Sequence, residues 1–368
     1  MPDDRFDPRN NSIGFLRLAL ATLILYWHSV LLGHVGMEPL SAMSGEPYTL
    51  GGLGVDGFFA LSGWLIAASY QRAHSFRVYL WHRCLRIFPG YWVCILLSAL
   101  VLPALFHQPP NADYLIRNAI EPAGGVFRPV VNKVFSTRGE DEVPLPWGML
   151  LGKKTIPDVF VDTYEKNMIN GSLWTLAYEF RMYLLIGVLG VAGLLRRPAV
   201  VPLLILSWVW LIWSWKSGGP LTTMFPRTMA HFLMGSAFYL FQPRFRGWFA
   251  LVCMLAAAGA MTLKWFPVVA PFTTTYIVFY LARVLPLQCV GKRADYSYGF
   301  YIYGYPVQQS LTAFGFNQHG FAAYFAMTLL ITGLFAAASW HLVESQALKL
   351  KNWGPGRTPK PVGQPAAS

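Results

Sequence analysis

Long apolar runs alternate with short basic and polar breaks along almost the whole chain. Ten runs approach or reach the roughly 17 to 25 residues that a helix needs to cross the hydrocarbon core of a bilayer. They cover 13–33, 51–70, 88–107, 172–194, 199–216, 224–241, 247–264, 267–284, 295–315 and 321–344, with only a turn at Pro267 between the seventh and eighth. The pattern predicts an all-α polytopic integral membrane protein of about ten transmembrane helices. One segment has a different character. Residues 75–88 place Leu80, Trp81, Cys84, Leu85 and Phe88 on one helical face and Tyr79, His82, Arg83 and Arg86 on the other. That arrangement predicts an interfacial helix lying along the inner leaflet, ended by Pro89.

Composition agrees with a membrane solvent. Hydrophobic residues make up 55% of the 368 positions and charged residues 12%, about half the charged fraction of a soluble domain. The 14 Trp suit a chain that meets two membrane interfaces many times. A net charge of +12 raises the question of nucleic acid, but the basic residues stand in short clusters between apolar runs. No nucleic-acid partner is expected, and the lipid bilayer is. Cys84, Cys94, Cys253 and Cys289 lack metal-ligand spacing and read as small packing residues, so no metal is expected. Asp3, Asp4 and Asp7 precede a first run with no cleavage site, which predicts an uncleaved anchor.

The distribution of Lys and Arg orients the bundle. With the N-terminus inside, the inner connections and tail carry seventeen of them, including Arg72, Arg77, Arg83, Arg86, Lys292 and Arg293. The short outer connections carry Lys216, Arg227 and Lys264. This asymmetry follows the positive-inside rule and places both termini in the cytoplasm. The expected organisation is a cytoplasmic N-terminus (1–12), a ten-helix membrane domain (13–346) and a cytoplasmic, largely disordered tail (347–368). Within the domain, 108–171 forms a long, proline-rich extracytoplasmic loop, where functional segments often reside.

Charges within a span cost roughly 2.5 to 3.5 kcal/mol each, so those that persist usually have a task. Arg17 and His28 stand eleven residues apart on the first run, about three helical turns and about 16 Å, and therefore share a face. Arg17 falls near the cytoplasmic end and His28 in the outer half. The second and fourth runs travel inward, which puts Asp56 and Glu179 in the same outer layer as His28. A histidine with a carboxylate to orient it is a general-base arrangement; the structural alternative is a satisfied buried polar cluster. Arg83 and Arg86 make a cytoplasmic basic patch suited to bidentate phosphate binding, or simply to lipid phosphate.

These residues lie within a series of motifs: Arg17 to His28, GVDGFFALSGW (54–64), HRCLRIFPGYW (82–92), GSLWTLAYEF (171–180), DYSYGFYIYGYP (295–306) and HLVES (341–345). In this order they resemble the membrane acyltransferase 3 family, which includes O-antigen and exopolysaccharide O-acetylases and the Nod-factor acetylase type. The resemblance spans roughly 13–346. It implies ten core helices in the bacterial cytoplasmic membrane and O-acetyltransferase activity. An acyl group, usually acetyl from acetyl-CoA, would pass to a hydroxyl of a carbohydrate or glycolipid acceptor at the extracytoplasmic face. It further implies His28 as catalytic base, Glu179 and less firmly Asp56 as catalytic carboxylates, and Arg17, Arg83 and Arg86 as donor-binding residues.

Two departures stand out. Gly304 occupies the place of a second family histidine, leaving its role absent or supplied by Tyr303 or Tyr305, and Gln346 replaces a usual proline. Whether transfer is direct or passes through an intermediate, with Ser62 as the serine to consider, is open at this level. The alternative class is a transporter or exporter of a surface saccharide or lipid, in which buried charges line a pathway. The lack of internal repeats counts against it.

Overall fold

A computed structural model describes residues 4–44, 48–73, 75–106, 160, 163, 168–217 and 220–354. Among these residues the fold is helical throughout, with one isolated bridge between Arg5 and Arg244 in place of any sheet. Among the described residues ten long helices overlie the ten apolar runs, the third starting twelve residues early: α1 (Ile13–Leu32), α2 (Leu50–Ala73), α3 (Phe76–Phe106), α4 (Trp174–Val191), α5 (Arg197–Ser217), α6 (Pro220–Phe241), α7 (Gly247–Thr262), α8 (Phe266–Val284), α9 (Ser297–Ala313) and α10 (Phe321–Ser339). Among the described residues, six helical stretches are long and apolar enough by themselves to cross a membrane: α1, α2, α5, α8, α4 with its leading turn, and the helix from Phe321 to Trp353. Most of the expected loop 108–171 and the tail from 355 onward lie outside the described residues.

The surface is that of a lipid-solvated bundle. Leu206, Trp213, Leu251, Leu255, Leu330 and Leu334 all stand more than half exposed, on α5, α7 and α10. Water would penalise so much apolar surface, whereas hydrocarbon does not. The buried residues form two main clusters. One joins α1, α2, α6 and α8 around Phe6, Trp64, Phe245 and Phe279. The other joins α2, α3, α4 and α9 around Tyr79, Tyr91, Tyr183 and Ile186.

Helix α2 is shared by both clusters, and small residues let it sit at the centre. A Cβ on Gly63 would stand 1.8 Å from the Phe232 carbonyl oxygen, and one on Gly235 would stand 1.9 Å from that of Ala60. The backbones of α2 and α6 therefore touch, and Ser236 Oγ donates to the Gly63 carbonyl at 3.0 Å. This is the small-residue association that hydrocarbon favours, where apolar bulk gives no advantage over lipid.

The interfacial helix differs from expectation. Helix α3 runs unbroken through Pro89 from Phe76 to Phe106. Within a bundle a proline can be carried in mid-helix, because neighbouring groups re-satisfy the backbone it frees. Both predicted faces turn inward: Leu85 is buried, and Leu80, Cys84 and Phe88 pack against the second cluster. Tyr79 is fully buried, with its hydroxyl donating to the Tyr183 carbonyl at 2.9 Å, and Arg86 turns inward to two carboxylates. The polar side faces protein because its partners are there.

The helix contact yields a direct test. Gly63→Ala should lower the melting temperature of the detergent-solubilised protein by several degrees, since overpacking costs about 1–3 kcal/mol. Gly259→Ala, where an added Cβ meets nothing within 4 Å, should leave it unchanged or slightly higher. Equal responses would mean that the close approach is not needed.

Candidate active site

Helices α1 and α3, the loop before α9 and the turn after α10 meet at a buried ion-pair knot. Asp295, in the loop just ahead of α9, accepts from Arg17 and from Arg86, the latter at 2.6 Å. Arg86 also reaches Glu344 at 3.2 Å, and Glu344 accepts from Ser339 Oγ at 2.9 Å. A π-helical turn over Trp340–Glu344 brings Glu344 into place. Burial alone would raise the Asp295 carboxyl. The Arg17 and Arg86 guanidiniums outweigh it and hold the group down at about 2. The Ser297 hydroxyl and amide also donate to Asp295, which fixes the start of α9. Two arginines and two carboxylates balance, so the knot carries no free charge. Arg83 differs: its Nε is buried without a hydrogen-bond partner among the described residues.

A cavity of about 70 Å³ begins at this knot. Arg17, Arg86 and Ser297 line one part of it, and Ile24, Ser62, Thr175, Glu179 and Tyr301 line the rest. Glu179 accepts from Ser62 Oγ at 3.1 Å and from the Tyr183 hydroxyl at 2.5 Å. The cavity thus joins cationic groups on α1 and α3 to a carboxylate on α4, and it holds a serine hydroxyl already oriented on that carboxylate.

His28 lies one turn beyond Ile24 on α1. It is 6% exposed, and its ring sits against Trp27 at 4.7 Å and edge-on to Tyr305 at 5.1 Å. Gln308 secures the same turn of α1. Its Nε2 donates to the Leu25 carbonyl at 2.7 Å and to Ser29 Oγ at 2.6 Å. At Gly304 a Cβ would come within 2.3 Å of Leu25 Cδ1. Leu25 therefore fills the space a side chain would need there, and Tyr305, not Tyr303, is the residue beside His28. Tyr303 stacks on Phe335 instead.

Asp56 is placed elsewhere. It is fully buried, held by Arg227 at 2.8 and 2.7 Å and approached by His231 Nδ1 at 3.5 Å. This trio bridges α2 and α6. The three residues expected to share one outer layer are thus not hydrogen-bonded to one another: each carboxylate has other partners, and His28 faces aromatic rings. Sequence reasoning missed Asp295, Glu344, Arg227, His231 and Gln308 as site residues. The available signal was charge balance, since a buried Arg17 or Asp56 requires a counter-ion somewhere in the chain. Among the described residues no group of His, Cys, Asp and Glu is arranged to hold a metal ion.

The sequence profile of a family described as "Acyltransferase domain" matches residues 10–340. An "O-acetyl transferase" of Shigella phage Sf6 is 26% identical over 362 residues, covering 92% of this chain and 96% of the relative. "Nodulation protein 10" of Rhizobium leguminosarum bv. viciae is 25% identical over 373 residues, covering 93% and 94%. No solved structure matches the chain.

The knot predicts a pH-dependent stability. Because the folded carboxyl of Asp295 lies below its ordinary 3.8, its contribution is complete above that value and lost as pH falls through about 2. Asp295→Asn leaves two arginines without their shared counter-ion, a loss of about 3 kcal/mol. Melting curves in detergent should separate variant from wild type at neutral pH and converge in strong acid. Coincident curves at neutral pH would show that the knot adds nothing.

Proposed function

The chain belongs to the acyltransferase family, and from that premise we propose that it is a multi-pass O-acetyltransferase using acetyl-CoA. In this reading all ten long helices span the bacterial cytoplasmic membrane and both termini are cytoplasmic. The acetyl group passes to a hydroxyl of a carbohydrate or glycolipid at the extracytoplasmic face. The observation that carries the proposal is the cavity running from the Arg17–Arg86 knot to Ser62 and Glu179, with His28 one turn further along the same helix.

Each residue then has a distinct task. Arg83, whose Nε has no partner of its own, meets donor phosphate. Arg17 and Arg86 shape the entrance while tied to Asp295 and Glu344. His28 takes the proton of the acceptor hydroxyl, and the freed oxygen forms the new ester bond at the thioester carbonyl carbon. The carbon–sulfur bond breaks and the thiolate leaves with a proton as CoA. Glu179, holding Ser62 and Tyr183, sets the polarity of the cavity wall. Asp56 acts by position, fixing α2 to α6 through Arg227 and His231.

The test is transfer of labelled acetyl from acetyl-CoA to a saccharide acceptor by the purified protein. His28→Ala should lower kcat by about 10²–10⁴, the usual contribution of a general base, while CoA binding persists. Full activity in that variant would overturn the assignment of the base, and absence of any transfer by the wild type would overturn the reaction.

A further inference from the structure

The connection between α8 and α9, residues 285–296, folds back over the start of α1. Two glycines permit the contact. A Cβ on Gly14 would stand 2.3 Å from the Val290 carbonyl oxygen, and Gly291, at φ +80°, rests with its Cα against Gly14. Beside this contact opens a cleft of about 800 Å³, bordered by Gly14, Cys289, Lys292, Arg293 and Asp295. It is larger than the cavity at the knot and meets it at Ser297.

Its charge is unbalanced. Lys292 and Arg293 are exposed, and neither forms an ion pair among the described residues. The carboxylate at the cleft, Asp295, is already committed to Arg17 and Arg86. Two free cations therefore face a space within the range of small-molecule sites and well beyond the size of one phosphate group. The cleft also leads somewhere. Asp295 borders it, its partner Arg17 borders the cavity at the knot, and Ser297 borders both. An elongated ligand with a phosphorylated end in the cleft would direct its other end toward Glu179.

We infer that this cleft holds the nucleotide end of the acyl-CoA donor, with Lys292 and Arg293 binding its ribose 3′-phosphate and pyrophosphate. The inference rests on the donor assignment above and adds a location and a residue set to it. The α8–α9 connection supplies charge that Arg17 and Arg86, tied to carboxylates, do not. The pantetheine arm then extends past the Arg17–Asp295 pair.

Two measurements on the full-length protein in neutral detergent test it. The first is the dissociation constant for CoA and for dephospho-CoA. Wild type should bind dephospho-CoA about tenfold more weakly, the effect of one charge-assisted phosphate contact. Lys292→Glu/Arg293→Glu should bind CoA at least about tenfold more weakly than wild type and lose the preference. Both positions are exposed, so the variant is expected to fold, and a monodisperse elution profile checks this. The second is alkylation of exposed Cys289, followed by peptide mass spectrometry, which CoA should slow. A wild type that binds CoA with no preference for the 3′-phosphate, a preference surviving in the double variant, or a Cys289 labelled at full rate under saturating CoA would each overturn the site while leaving the donor assignment standing. Protection of Cys289 by phosphatidylglycerol equal to that by CoA would make the cleft a lipid site and overturn it as well. Failure of the wild type to bind CoA at all would remove both the donor assignment and this site.

Discussion

The arrangement depends on one buried interaction, the four-group knot of Arg17, Arg86, Asp295 and Glu344. Each charge alone would be expensive at this depth, and removing any one leaves its partner uncompensated. Together they balance, and they bind four elements that are far apart in the sequence: α1, α3, the loop before α9 and the turn after α10. Arg86 is further enclosed by the rings of Tyr298 and Trp340, at 5.7 and 5.6 Å. The knot lines one end of the cavity, and the start of α9 is fixed to it through the Ser297 hydroxyl on Asp295. Because α9 also carries Tyr305 and Gln308, the setting of His28 follows from the same anchor.

The opposite requirement governs the rest of the bundle. Lipid offers no apolar driving force between helices, so contact is gained where side chains are absent. Gly63 and Gly235 let α2 and α6 meet backbone to backbone, and Gly54 and Gly57 admit Ile24 and Leu20 of α1 against α2. The Asp56–Arg227–His231 trio then sits across the α2–α6 contact, where a close approach makes strong geometry possible. Close-packed glycines position the helices, and the few buried ion pairs fix which helices meet.

The sequence made the helices legible because hydrocarbon thickness imposes a length and an apolar character on each run. The helix over 13–33 and that over 267–284 are found within a residue of their expected bounds. Helical periodicity alone puts Arg17 and His28 on one face of α1; Arg17 and Ile24 line the cavity, and His28 lies one turn beyond, against Tyr305. What could not be read was pairing at long separation. Nothing local in the chain says that Arg86 meets Glu344 or that Asp56 meets Arg227, 171 positions away. Arg227 looked like a loop charge, and the polar face of 75–88 looked like one turned to headgroups. Both errors treat a charge by its neighbours in sequence, whereas its position is set by its counter-ion.

That correction bears on how a charged donor can be recognised. Arg17 and Arg86 are cationic residues near the cavity, and on sequence alone they look like phosphate ligands. In the structure their charge is spent on Asp295 and Glu344, and an incoming phosphate would have to compete with carboxylates that are already desolvated and aligned. In the proposed reading, attraction for the polyanionic donor comes from cations that form no ion pair among the described residues, chiefly Lys292 and Arg293. The neutral knot is better suited to shape than to affinity: it holds the walls of the cavity in register, and the proposal leaves the binding energy to charges outside it. Separating these two tasks lets a membrane-embedded site keep a rigid, electrically balanced interior without giving up recognition of a highly charged ligand at its edge.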